Sequence, residues 1–198
     1  VPTLQFRSAN TLPREAGLFS GSDGQIYLSS SPSPELAVLR GRQVVRAANK
    51  SAGKKPREFE LPADNGGICE ILLDLDCRKA DSVDIRISNN ADEYVTLRYK
   101  ASDRTLSFDR RNSGIVDFSQ DFPAVTVAPV FEEGSKLSLR LFVDRSSMEV
   151  FGNGGKFVMT NLLFPTEPYS KISVSSLGGN AKIEGLKIFS INDSFSSR

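Results

Sequence analysis

Residues Leu137 to Pro165 read LSLRLFVDRSSMEVFGNGGKFVMTNLLFP, and this stretch decides the fold class. Leu137, Leu139, Leu141 and Val143 alternate with Ser138, Arg140 and Phe142. Side chains on a strand alternate between faces, so this period of two predicts a strand with one face on a core. Asp144-Arg145-Ser146-Ser147 then supplies turn chemistry, because short polar side chains bond nearby backbone amides. Met148, Val150 and Phe151 around Glu149 predict a second strand. Gly152-Asn153-Gly154-Gly155 can take the positive φ values that a tight reversal demands. Phe157 to Phe164 is a third apolar run, ended by Pro165. The local pattern is an antiparallel meander.

Similar alternation recurs outward in both directions. Val83, Ile85 and Ile87 alternate with Asp84, Arg86 and Ser88; Val95, Leu97 and Tyr99 alternate with Thr96, Arg98 and Lys100; Leu106 and Phe108 alternate with Ser107 and Asp109. Each set predicts one buried and one wet face, as two packed antiparallel sheets require. Further strands are expected near 25–29, 58–61, 68–76, 171–176 and 182–191. No window sustains a helical repeat over three turns, although Pro32 to Leu36 can start one short turn. The segment 114–129 reads as a long connection. The basic cluster Arg40, Arg42, Arg46, Lys50, Lys54, Lys55 and Arg57 reads as a solvated loop face. The expected fold is all-β, a two-sheet antiparallel sandwich.

Composition narrows the function classes. Lys plus Arg is 25 and Asp plus Glu is 24, a net charge of +1, which argues against a nucleic-acid or anionic-membrane surface. No run approaches the roughly 18 apolar residues of a membrane span. The sequence has no His, which removes Ser-His and Cys-His nucleophile pairs and common zinc sites. Asp74, Asp76 and Asp81 lack the spacing of a calcium loop, so neither a metal nor a cofactor is expected. Cys69 and Cys77 bracket CEILLDLDC; one continuous strand would hold them about 26 Å apart. That is far beyond disulfide reach, so two buried thiols are expected.

The wording of the opening stretch adds a resemblance. Phe142-Val143-Asp144-Arg145-Ser146-Ser147 and Glu149-Val150-Phe151-Gly152 closely resemble the FVDRSSVEVFGN-type motif in the C-terminal β-sandwich of family 32 glycoside hydrolases. Met148 stands where that family often has Val. Val1-Pro2-Thr3, Phe6-Arg7-Ser8-Ala9 and Leu12-Pro13-Arg14-Glu15 resemble the passage leading from the family's propeller into its sandwich, with Phe6 in place of the usual Trp. Gly24 to Leu28, Pro34-Glu35-Leu36 and Leu39-Arg40 resemble the first sandwich strands. The likeness covers nearly the whole chain and is weakest between Arg42 and Pro62.

The resemblance implies a concanavalin-like jelly-roll sandwich over residues 16–198, preceded at 1–15 by a linker from a catalytic domain. In that family catalysis belongs to an N-terminal five-bladed propeller, whose carboxylates sit in W-x-N-D-P-N-G, R-D-P and E-C motifs. This sequence has no Asp-Pro, no Glu-Cys and no Trp. No family residue can therefore be carried over to make the carboxylate pair, about 5 Å apart, of a retaining glycosidase. The resemblance thus implies a non-catalytic accessory domain of a secreted or periplasmic β-fructosidase acting on levan, inulin or sucrose, partnered by its own propeller. Phe6, Arg7, Pro13, Arg14 and Glu15 are the expected interface with that propeller. Two alternatives are a fructan-binding module, with Asp144, Arg145, Glu149 and Asn153 as its polar groups, and a domain that forms homodimers. Those four residues also fit a plainer role, a hairpin held by an Arg–carboxylate pair and an Asp turn.

Overall fold

The computed structural model describes residue 2 and residues 10–63, 65–131 and 134–192. Phe6 and Arg7 lie outside the described residues. Among the described residues fourteen strands are formed: β1 Arg14–Ser20, β2 Ile26–Pro32, β3 Arg40–Ala52, β4 Arg57–Glu60, β5 Cys69–Asp76, β6 Ser82–Ser88, β7 Tyr94–Lys100, β8 Thr105–Asn112, β9 Val125–Pro129, β10 Lys136–Val143, β11 Ser147–Gly152, β12 Phe157–Leu162, β13 Lys171–Leu177 and β14 Ala181–Ile191. A 3₁₀ turn, Pro34–Leu39, joins β2 to β3, with Pro34 at its start as expected of a proline.

Two six-stranded antiparallel sheets face each other. The first has the order β12-β11-β10-β5-β14-β3 and the second β4-β13-β6-β7-β8-β9. This is the two-sheet sandwich that the alternation predicts. Ile71, Leu73 and Leu75 of β5 and Leu137, Leu139 and Leu141 of β10 meet Val83, Ile85, Ile87, Leu97 and Phe108 of the second sheet in one core. Burying each such side chain contributes about 1.5–3 kcal/mol. β14 carries a bulge between Ile183 and Gly185, so Ile183, Leu186 and Ile188 all point inward despite their uneven spacing. Cys69 and Cys77 are both buried and form no disulfide.

Two readings of the sequence need correction. The basic cluster is largely solvated, but only Lys54 and Lys55 lie in a loop: Arg40 to Lys50 lie on β3, an edge strand, and Arg57 opens β4. Most of β3 is exposed, so no buried alternation announces it. The connection 114–129 ends in β9, which pairs with β8; Val125 and Val127 point to solvent and only Ala128 is buried. Phe142, opposite the core face of β10, does not sit on a wet face. With Leu36 and Phe151 it forms a second apolar cluster on the outside of the first sheet, against Leu12 and Leu39.

β1 and β2 form a sheet of their own, a hairpin over the outside of the first sheet. Asp23 anchors its tip by accepting hydrogen bonds from Tyr27 Oη at 2.5 Å and from the Gln25 amide at 3.1 Å.

Candidate functional site

The outer face of the first sheet brings the chain's two most distinctive passages together. Glu149 points outward from β11 and is only 5% exposed. The amide of Leu12 donates to its Oε1 at 2.7 Å, and Arg14 Nη2 donates to its Oε2 at 2.5 Å. Arg14 Nη2 also donates to Thr160 Oγ1 at 2.8 Å, and its guanidinium lies 5.1 Å from the centre of the Phe151 ring. An ionised carboxylate is a strong acceptor, so it can hold a backbone amide and a guanidinium at once.

Across the strands, Thr160, Glu149, Phe142, Glu70, Phe189 and Gln43 stand in one cross-strand row. Glu70 is 1% exposed. It accepts from Arg40 Nε at 2.5 Å, Arg40 Nη2 at 2.8 Å and Arg140 Nε at 2.5 Å. The Arg40 guanidinium lies over Phe189 and that of Arg140 over Phe142. The bond to Glu70 raises the Arg40 pKa above its ordinary value. Burial first, and then the charge of Glu70, push the Cys69 thiol up to about 12. A thiol held neutral in this way is no nucleophile near neutral pH.

The glycine turn of the opening motif performs a second docking task. Asn153, Gly154 and Gly155 all have positive φ. The Ser30 amide donates to the Gly155 carbonyl at 2.8 Å, and Ser31 Oγ donates to the Gly154 carbonyl at 2.9 Å. A Cβ on Gly155 would stand 2.5 Å from the Ser30 carbonyl oxygen. Glycine is therefore required there twice over, by φ and by the close approach of β2. One end of the motif holds Leu12 and Arg14, and the other holds Ser30 and Ser31. Together they seat the β1–β2 hairpin.

Of the four polar residues singled out in the motif, Asp144, Arg145 and Glu149 line one cleft and Asn153 does not. Asp144 and Arg145 lie in the turn between β10 and β11, where Asp144 Oδ1 accepts the Arg145 amide at 2.7 Å. Asn153 is at the opposite end of β11. There its Oδ1 accepts the Ser138 amide at 2.9 Å and its own amide donates to the Ser138 carbonyl at 2.8 Å. It extends the β10–β11 ladder by one rung. Glu149 does form an Arg–carboxylate pair, but with Arg14 rather than Arg145, and the hairpin it holds is β1–β2 rather than its own. Pro13 and Glu15 are exposed on either side of Arg14. A cleft of about 860 Å³ beside the clamp is lined by Leu12, Leu39, Phe142, Asp144, Arg145 and Glu149, among others. Sequence reasoning missed Glu70 and its two arginines, since nothing local marks a carboxylate shared by three strands.

Among the described residues no group of three or more acidic, Cys or His side chains is placed to hold a metal ion, and no helix is long and apolar enough to cross a membrane. Comparison with known proteins gives a consistent set of relatives. A levanase of Bacillus sp. (strain L7) is 28% identical over 96% of this chain, and the match spans 21% of that protein. A levanase of Bacillus subtilis (strain 168) is 29% identical over 95% of the chain and 28% of its own length. The crystal structure of an exo-inulinase from Aspergillus awamori superposes with a TM-score of 0.87 at 25% identity, over 98% of this chain and 38% of that one. The chain thus spans well under half the length of each. The family model described as glycosyl hydrolases family 32 C terminal matches residues 35–190. The chain accordingly belongs to the C-terminal domain family of the family 32 glycosyl hydrolases.

Proposed function

We propose that this chain is the non-catalytic accessory sandwich of a fructan-degrading β-fructosidase, packed on the catalytic propeller of the same polypeptide and stabilising it. The observation that carries this reading is the state of Glu149. Both of its oxygens are engaged, one by the Leu12 amide and one by Arg14. A glycosidase carboxylate must face the scissile bond with a proton to give or a lone pair to use. Here the carboxylate at the heart of the family motif holds down its own chain instead. The relatives named levanase and exo-inulinase support the substrate class. The purified 198-residue chain is expected to release no fructose from levan, inulin or sucrose. Measurable release by the chain alone would overturn the reading.

A second reading, fructan binding by this domain itself, is favoured by one observation. Asp144 and Arg145 are exposed at the cleft, and among the described residues the Arg145 guanidinium has no hydrogen-bond or ion-pair partner. Sugar sites need such convergent polar groups beside apolar surface. Calorimetric titration with fructo-oligosaccharides should then give saturable heat that Arg145→Ala abolishes. A flat titration rejects this second reading and leaves the first intact.

A further inference from the structure

The β1–β2 hairpin has two unlike faces. Phe19 and Tyr27 point toward the body of the domain, stacked on each other with centroids 5.6 Å apart and both touching Phe131. The opposite face presents Ala16, Leu18 and Ser20 from β1, paired with Ser30, Leu28 and Ile26 from β2. The same face carries the Arg14–Pro32 pair at its base, where Arg14 is taken up by Glu149 and Pro32 is buried; none of the six positions beyond it is charged, in a chain that is 25% charged. Leu18 stands directly opposite Leu28, and Leu18, Ile26 and Leu28 are 74%, 71% and 68% exposed. Single exposed leucines are ordinary, but a cross-strand cluster of large apolar side chains marks a surface built to be covered.

We infer that this apolar face of the hairpin is the seat for the catalytic part of the same polypeptide. The inference rests on the accessory-domain reading above and names the surface through which it acts. Three observations select that occupant. First, the C-terminal family model begins at residue 35, so the hairpin lies outside it, whereas the levanase alignments cover 95–96% of this chain. The hairpin therefore belongs to what longer relatives share beyond the sandwich proper. Second, this chain accounts for only 21% and 28% of those levanases, so most of each relative lies outside the matched part. Third, the hairpin is fixed and not merely tethered: Glu149 holds Leu12 and Arg14, and the Gly154–Gly155 turn holds β2. An apolar face fixed at both ends can set the orientation of what it touches. Area buried on a fixed surface carries a smaller ordering cost than the same area on a mobile loop.

The test uses the full-length protein, with this chain behind its catalytic part. Leu18→Lys combined with Leu28→Lys places two charges on the seat without touching the core. Wild type should melt in one transition. The double variant should split it into two, and proteolysis ahead of Leu12 should accelerate roughly tenfold or more, as expected when about one leucine's worth of burial is lost. Leu177→Lys, at a 52% exposed position on β13, is the control and should leave one transition. An unsplit transition with unchanged proteolysis in the double variant overturns the inference, as do two transitions already present in wild type. If instead the 198-residue chain dimerises in light scattering and the double variant makes it monomeric, the seat joins two copies and the inference falls. Fructose release by the chain alone would refute the accessory reading itself, whatever the melting curves show.

Discussion

The two sheets have the same inner chemistry and opposite outer faces. Outside the second sheet, Arg98 pairs with Asp84 at 2.6 Å, Arg111 with Asp109 at 2.6 Å and Lys100 with Asp103 at 2.7 Å, every cation being more than half exposed. Outside the first sheet, Glu70 and Glu149 make bonds of the same length, yet both carboxylates are buried beneath the hairpin, the 3₁₀ turn and aromatic rings. Distance alone does not distinguish these pairs; solvent does. A wet pair is screened and adds little. A covered pair must be fully satisfied, because each ion has lost its water. That condition is not quite met, for Arg14 Nε and Arg140 Nη2 are buried with no hydrogen-bond partner among the described residues. The covered face is therefore a poor device for raw stability and a good one for fixing position.

Removing Glu70 should separate the two faces most sharply. Glu70→Ala leaves Arg40 and Arg140, both mostly covered, beside each other with no counter-charge. The expected loss is about 3–5 kcal/mol in urea unfolding. Asp84→Ala on the wet sheet should cost less than about 1 kcal/mol. Equal losses would abolish the distinction between the faces. Glu149→Ala should come next, at about 2–3 kcal/mol, since Arg14 keeps some contact with water and retains Thr160. Its signature should be local. Amide exchange at Leu12 and through β1 should quicken while that of β5 and β10 stays slow. A uniform rise in exchange would mean that the clamp supports the whole sandwich rather than the hairpin.

The sequence announced all but one strand of each sheet, β3 in the covered sheet and β9 in the wet one, for a physical reason. β6 and β7 run over Ser82–Ser88 and Tyr94–Lys100, the limits that alternation alone predicts, because each has one core face and one solvent face. β3 and β9 escaped notice because an edge strand with mostly exposed side chains has no apolar period to read. The period-two rule sets Phe142 opposite the core, but it counts two faces and cannot see a third layer added by Leu12 and Leu36. The partner of Glu149 lies 135 positions away in sequence, and no local spacing reports such a bond. Both ends of it were nonetheless conspicuous as wording, Arg14 in the LPRE passage and Glu149 in the FVDRSSMEVFGN passage. What the structure adds is that the two passages are one device.

The smallest expected effect tests the wet face from the side of pH. The Asp109 carboxylate is held below its ordinary value first by the side-chain bond from Arg111, with the Arg111 amide helping and partial burial opposing. Its folded pKa is thus lower than its unfolded one. The stability it contributes is fully present above the unfolded value, near 3.9 for Asp, and is lost as pH falls through the folded value. Because the pair is largely in water, that contribution should stay under about 1 kcal/mol and shrink in about 1 M salt, where screening acts within about 3 Å. Wild type and Asp109→Asn should therefore differ modestly in urea stability near pH 6 and converge only as pH falls below the lowered folded value. A gap that survived both acid and salt would show that Asp109 is as desolvated as Glu70, and the contrast between the two outer faces would have to be abandoned.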